Sequence, residues 1–140
     1  MEGVVAFTED LLHACKALGK ARLVMRNPLG VVEVFGDLAA IELRDGWAHL
    51  CTEPVHLHLH CHAIAEVNFR DAAAGEGAHA SRAVWFADRN GVPLLLLVLD
   101  QARGAGAAEQ ARVFGALRRT HGPTRALMSL DEVPSRTTMS

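Results

Sequence analysis

Tyrosine is absent from these 140 residues, and Phe and Trp together make up only 5% of the chain. A buried core must therefore be built from Val, Leu, Ile and Ala. Cysteine is scarce too. Cys15, Cys51 and Cys61 form no CxxC pair, which excludes a disulfide framework and reads as reduced thiols in a cytosolic protein. No basic excess exists: the formal charge is −2 and the arginines are scattered, which argues against nucleic acid and anionic membranes as partners. The first residues, MEGVVAFTEDLLHA, lack a cationic start followed by an apolar run, so no signal peptide is expected. Residues 92–99 are the most apolar stretch and fall far short of the roughly 20 residues a membrane helix needs. The expected address is the cytoplasm.

What is present fits one domain over residues 1–123, followed by a polar, Ser/Thr-rich tail over 124–140 that is partly disordered, toward its end. Leu11, Leu12, Cys15 and Leu18 share a helical face, which predicts a helix over 8–18 with Thr8 as N-cap and Gly19 just past its end. Strands are expected at 21–25 and 31–35, around the Asn27-Pro28-Leu29-Gly30 turn. Two more, 39–43 and 47–51, flank Asp45-Gly46, a strong hairpin signal. Strict alternation predicts a strand over 55–62, and β-like composition continues over 64–69. Residues 72–80 read as a flexible connection. Asn90-Gly91 joins strands at 81–87 and 92–99. A last helix over 105–120 carries Ala108, Ala111, Phe114 and Leu117 on its apolar face, with Val113 as an alternative to Phe114.

The expected fold is α+β: a large, meander-like antiparallel sheet of about six or seven strands, flanked by an N-terminal and a C-terminal helix. Residues 94–99 are apolar on both faces, so a ligand or a second subunit should cover the face the helices leave open.

The most informative stretch is Val55-His56-Leu57-His58-Leu59-His60-Cys61-His62. In a strand, the four imidazoles point one way and Leu57, Leu59 and Cys61 the other. Neighbours on one face lie roughly 7 Å apart, so His58 and His60 can converge on one ion, whereas all four span about 20 Å and cannot. Imidazole is the commonest metal ligand and an axial ligand of haem iron. Three readings stay open: a solvated row with no ligand, a haem site lined by one or two of these residues, and a divalent-metal site at His58 and His60. A closed zinc site is disfavoured, because neither CxxC nor HxxxH spacing occurs.

The chain resembles the haemin-utilisation proteins of the HemS and ChuX/HutX type over about residues 21–122. LHLHCHAIAEVNF (57–69) is similar to that family's LHLRxDxIAEVW segment, and Val84-Trp85-Phe86-Ala87-Asp88-Arg89-Asn90-Gly91 to its strand ending FFDxxG. Asn27-Pro28 through Phe35-Gly36 resembles an NPG-like turn before a strand ending in a Thr-Gly or Ser-Gly pair. The resemblance implies an antiparallel sheet flanked by helices, a homodimer through the sheet, and intracellular haem carriage or breakdown in iron acquisition. It also shows departures. Val34 stands where the HemS branch associates a haem-ligating histidine, and Met25 or Arg26 where the ChuX branch has a pocket histidine. With tyrosine absent, an iron ligand must be His, Cys or Met. His58 or His60 is the first choice, with His56, His62 and Met25 as further candidates and Arg26 as a propionate partner.

No nucleophile–base–orienter set is visible. Ser81 and Ser129 lie outside any GxSxG elbow, and Gly104-Ala105-Gly106 is neither a phosphate loop nor a GxGxxG fingerprint. Cys61 faces away from His60 and His62 within a strand, so the three form no dyad. The residues point away from an intrinsic reaction; haem degradation enters through the resemblance alone.

Overall fold

Leu11, Leu12, Cys15 and Leu18 fix the first element, and all four are buried. The computed structural model describes residues 2–71, 82–122 and 124–126, with side chains over 9–71 and 82–122. Helix α1 runs Glu2–Cys15 and continues as a 3₁₀ turn over Lys16–Leu18. It begins at Glu2, so Thr8 lies inside the helix rather than at its N-cap. Gly19 adopts φ +73° and its N–H donates to the Lys16 carbonyl, ending the turn as its freedom at positive φ allows.

Strands β1 (Lys20–Asn27) and β2 (Gly30–Asp37) form a hairpin longer than expected at both ends. The Asn27 side-chain oxygen accepts from the N–H groups of Leu29 and Gly30, which closes that turn. A short 3₁₀ turn leads to β3 (Ile41–Arg44) and β4 (Trp47–Thr52). Asp45 at φ 54° and Gly46 at φ 82° join them in the positive-φ conformation that the Asp-Gly step predicts. After β5 (Val55–His60) come β6 (Glu66–Asp71), β7 (Arg82–Ala87), β8 (Pro93–Leu99), α2 (Gly104–His121) and β9 (Thr124–Ala126).

Among the described residues, nine strands divide between two antiparallel sheets. Six lie in the order β2-β1-β8-β7-β6-β9 and three in the order β3-β4-β5. The α+β class with antiparallel pairing is as expected. The division is not, because alternation marks strands without saying which ladders they join. At the start of the tail, β9 pairs with β6. The connection expected at 72–80 and the tail beyond residue 126 lie outside the described residues.

The main core joins three layers. Leu23, Val67, Phe69, Val84, Phe86, Leu95 and Leu97 come from one face of the large sheet, Ile41, Ala48 and Leu50 from the small sheet, and Leu11, Leu12, Val113, Phe114 and Leu117 from the helices. Leu57 and Leu59 pack against this core, as alternation predicts. Helix α2 buries Gln110, Val113, Phe114, Leu117 and His121. Ala108 is exposed and Ala111 half-buried, so the helix is rotated relative to the apolar stripe. A polar residue drives that rotation. Gln110 donates through Nε2 to the carbonyls of Leu18 (2.6 Å) and Lys20 (2.9 Å), tying α2 to the α1–β1 connection.

Candidate functional sites on two sheet faces

Strand β5 ends at His60, two residues earlier than its alternation suggests. Cys61–Ala63 form a 3₁₀ turn, with the Cys61 N–H donating to the Gly46 carbonyl at 2.9 Å. His62 therefore lies off the strand, although its ring still stacks on His60 with centroids 5.2 Å apart. Gly46 makes room for it: a Cβ there would sit 3.2 Å from His62 Nε2.

Register with β4 decides what the other imidazoles meet. The two-residue Glu53-Pro54 loop sets Thr52 opposite Val55, and so Cys51 opposite His56, His49 opposite His58 and Trp47 opposite His60. His60 stacks on Trp47 at 4.8 Å between centroids. His49 and His58 bring their Nδ1 atoms within 2.8 Å of each other. His56 Nε2 lies 3.0 Å from a carboxylate oxygen of Glu53. Across the ladder His58 thus meets His49, while His60 stacks on Trp47 and His62. His49 was missed in the sequence because it lies on another strand; the length of the Glu53-Pro54 loop is the signal that finds it. The rings of His56, His58 and His60 are exposed. Among the described residues, no group of three or more His, Cys, Asp or Glu forms a metal cluster.

Cys61 is buried as expected from its opposite facing, and burial pushes its thiol up to about 11. Burial pushes Cys15 up to about 12.

A second surface lies on the outer face of the large sheet. The ladder registers place Arg22, Val98, Ala83 and Arg70 in one row across β1, β8, β7 and β6, with Val24, Leu96, Trp85 and Asn68 in the next. The apolar residues of these rows floor a groove of about 720 Å³, walled by Val31 and Glu33 on one side and Asp71 on the other. That volume falls within the range of small-molecule sites. Leu96 and Val98 supply the outer apolar face read from the sequence.

Charge distribution around the groove is uneven. Arg22 donates to Asp100 at 2.8 Å and lies 3.4 Å from Glu33. Partial burial alone would raise the Asp100 carboxyl, but hydrogen bonds from Arg22 and Gln101 outweigh it and hold it below the usual range. Arg70 lays its guanidinium over Trp85, 4.3 Å from the ring centroid. Arg26 lines the groove as well. Met25 does not: it alternates to the opposite face and packs with Val34 against the main core. The structure therefore separates the candidates. Arg26 belongs to the groove, the imidazoles to the other sheet, and Met25 to the interior.

The chain belongs to the haem utilisation ChuX/HutX family, whose model matches residues 5–117. No curated protein matches it. Among solved structures, a protein from Agrobacterium tumefaciens is 21% identical with a TM-score of 0.64, covering 83% of this chain and 67% of that one. The heme binding protein ChuX is 16% identical with a TM-score of 0.63, covering 80% and 70%. The heme-binding protein PhuS from Pseudomonas aeruginosa is 19% identical with a TM-score of 0.67, and the match covers 86% of this chain and 34% of PhuS. At these identities the likeness is one of fold. Family membership supports a role in haem utilisation. Among the described residues, no helix is long and apolar enough to cross a membrane.

The groove fits one part of a haem. Its apolar floor suits a porphyrin face and its guanidiniums suit carboxylates, whereas none of its described lining residues is a His, Cys or Met that ligates iron.

Proposed function

We propose that the chain binds haem on the outer face of its six-stranded sheet and acts as a carrier in haem-iron utilisation. One observation carries the reading. Val24, Ala83, Leu96 and Val98 make an apolar bed, and at its rim Arg26 and Arg70 have no acidic partner among the described residues. A planar apolar body with ionised carboxylates satisfies both features. Haem when bound supplies the chemistry of its iron. The chain's own residues shield the porphyrin face from water and orient it through its propionates. A homodimer belongs to the same reading, since Leu29, Val31, Val32 and Phe35 are exposed on or beside the edge strand β2 and a second copy would cover them.

Haemin titration followed at the Soret band tests the site. Each partly exposed guanidinium–carboxylate contact contributes about 0.5–1 kcal/mol, and charge reversal adds repulsion. The double variant Arg26→Glu, Arg70→Glu should therefore bind about tenfold or more weakly. A second reading, with iron held by the imidazole face, rests on the aligned rings of Trp47, His60 and His62. The double variant His58→Ala, His60→Ala separates the two. If it loses the Soret shift while the arginine variant keeps it, the groove is not the site. A wild type that shows no shift at micromolar haemin (about −8 kcal/mol) overturns haem carriage and leaves a non-ligating interaction protein.

A further inference from the structure

The groove leaves the imidazole face without a role. We propose that His49 and His58 form a two-imidazole site for a divalent cation of the late first row, Ni²⁺ or Cu²⁺, independent of haem.

The spacing of the nitrogens is the main argument. The two Nδ1 atoms are 2.8 Å apart. That separation is also the length of a hydrogen bond between the rings, so it shows that both nitrogens can reach one ion at about 2.0 Å without selecting its geometry. Nickel and copper stand near the head of the divalent affinity order for nitrogen ligands, which selects them.

Placement supports the same site. The pair stands directly opposite across the β4–β5 ladder, so backbone hydrogen bonds hold the two nitrogens in register. Glu42 of β3 faces His49 across the other ladder, which sets a carboxylate, an imidazole and an imidazole in one row over three strands. That carboxylate favours a positive ion without ligating it. The neighbouring rings are otherwise engaged: His56 with Glu53, and His60 between Trp47 and His62. His58 is exposed, so an ion reaches the pair directly and water completes its coordination.

Calorimetric titration of the full chain with nickel chloride tests the site; nickel is chosen because the exposed Cys51 thiol reduces copper(II). One equivalent should bind. His49→Gln and His58→Ala should each weaken binding by about tenfold or more, the scale on which single groups around a metal matter. His56→Ala and Cys51→Ser should bind as wild type, with circular dichroism confirming that each variant is folded. Undiminished binding in the His49 and His58 variants, or loss in either control, overturns the assignment. Zinc binding more tightly than nickel overturns the assignment to nickel or copper. Haemin titration of His58→Ala should match wild type, so failure here and failure of the haem reading are separately visible.

Discussion

Replacing Gln110 tests whether a polar residue sets the seat of the second helix. Its amide is 6% exposed and its Nε2 is the donor for two carbonyls, Leu18 at 2.6 Å and Lys20 at 2.9 Å. Both carbonyls flank Gly19, where the chain turns from the α1 segment into β1. Gln110→Ala removes two hydrogen bonds of about 1 kcal/mol each and strands the Leu18 carbonyl in the interior. The expected loss is about 2–3 kcal/mol, or a fall in Tm of about 6–10 °C for a domain of this size. Gln110→Glu sharpens the test. Its carboxylate cannot donate and would face two carbonyl oxygens, so the native state favours the protonated acid. The glutamate's native pKa then lies above its unfolded value of about 4.3. Its proton-dependent stability is fully present below about pH 4.3 and is lost as pH rises through the native pKa. Thermal melts of both variants at pH 4 and pH 7 should show Glu recovering toward wild type at the lower pH, with Ala unchanged relative to wild type. A Gln110→Glu variant as stable as wild type at pH 7 would refute the account of how α2 is positioned.

Thiol labelling should find one fast cysteine in the native protein, the exposed Cys51, and three in denaturant, because burial holds the Cys15 and Cys61 thiols up at about 12 and about 11. Two or more fast thiols under native conditions would contradict that burial. Gly122→Ala would place a Cβ 2.6 Å from the Phe69 ring, which packs edge-on against Phe114 in the core; a loss of about 1–3 kcal/mol should appear in urea unfolding. Asp100 is held below the usual carboxylate range, so its contribution is present above the ordinary pKa of about 3.9 and lost as pH falls through the lower native value. Asp100→Asn should cost about 0.5–1 kcal/mol at pH 7, since the pair with Arg22 is partly exposed, and nothing once wild-type Asp100 is protonated. An equal cost at both extremes would assign the loss to packing.

How much of the site was legible depends on the kind of signal each residue gives. The facing of His56, His58 and His60 follows from a period of two, and the observed strand keeps it. The end of that strand does not follow, because Cys61, although its N–H still donates to Gly46 opposite it, turns into the 3₁₀ segment Cys61–Ala63 instead of staying extended. His49 was hidden because a partner on another strand is found through loop length and register. The arginine-rimmed groove was hidden because its residues come from β1, β6, β7 and β8, and only the ladder registers bring them side by side. Gln110 escaped an apolar count because its burial is favourable only with two particular carbonyls present.

By itself the sequence determined the α+β class, the hairpins at Asp45-Gly46 and Asn90-Gly91, the buried face of α1 and the two-sided apolar character of β8. Each is local: a turn residue, a side-chain period or a helix face can be read from neighbours along the chain. Tertiary structure decided that the strands form two sheets, that Met25 and Arg26 part to opposite faces, and that His58 meets His49. Those outcomes depend on hydrogen-bond register between distant segments and on which layer covers which face, quantities that no window of consecutive residues contains.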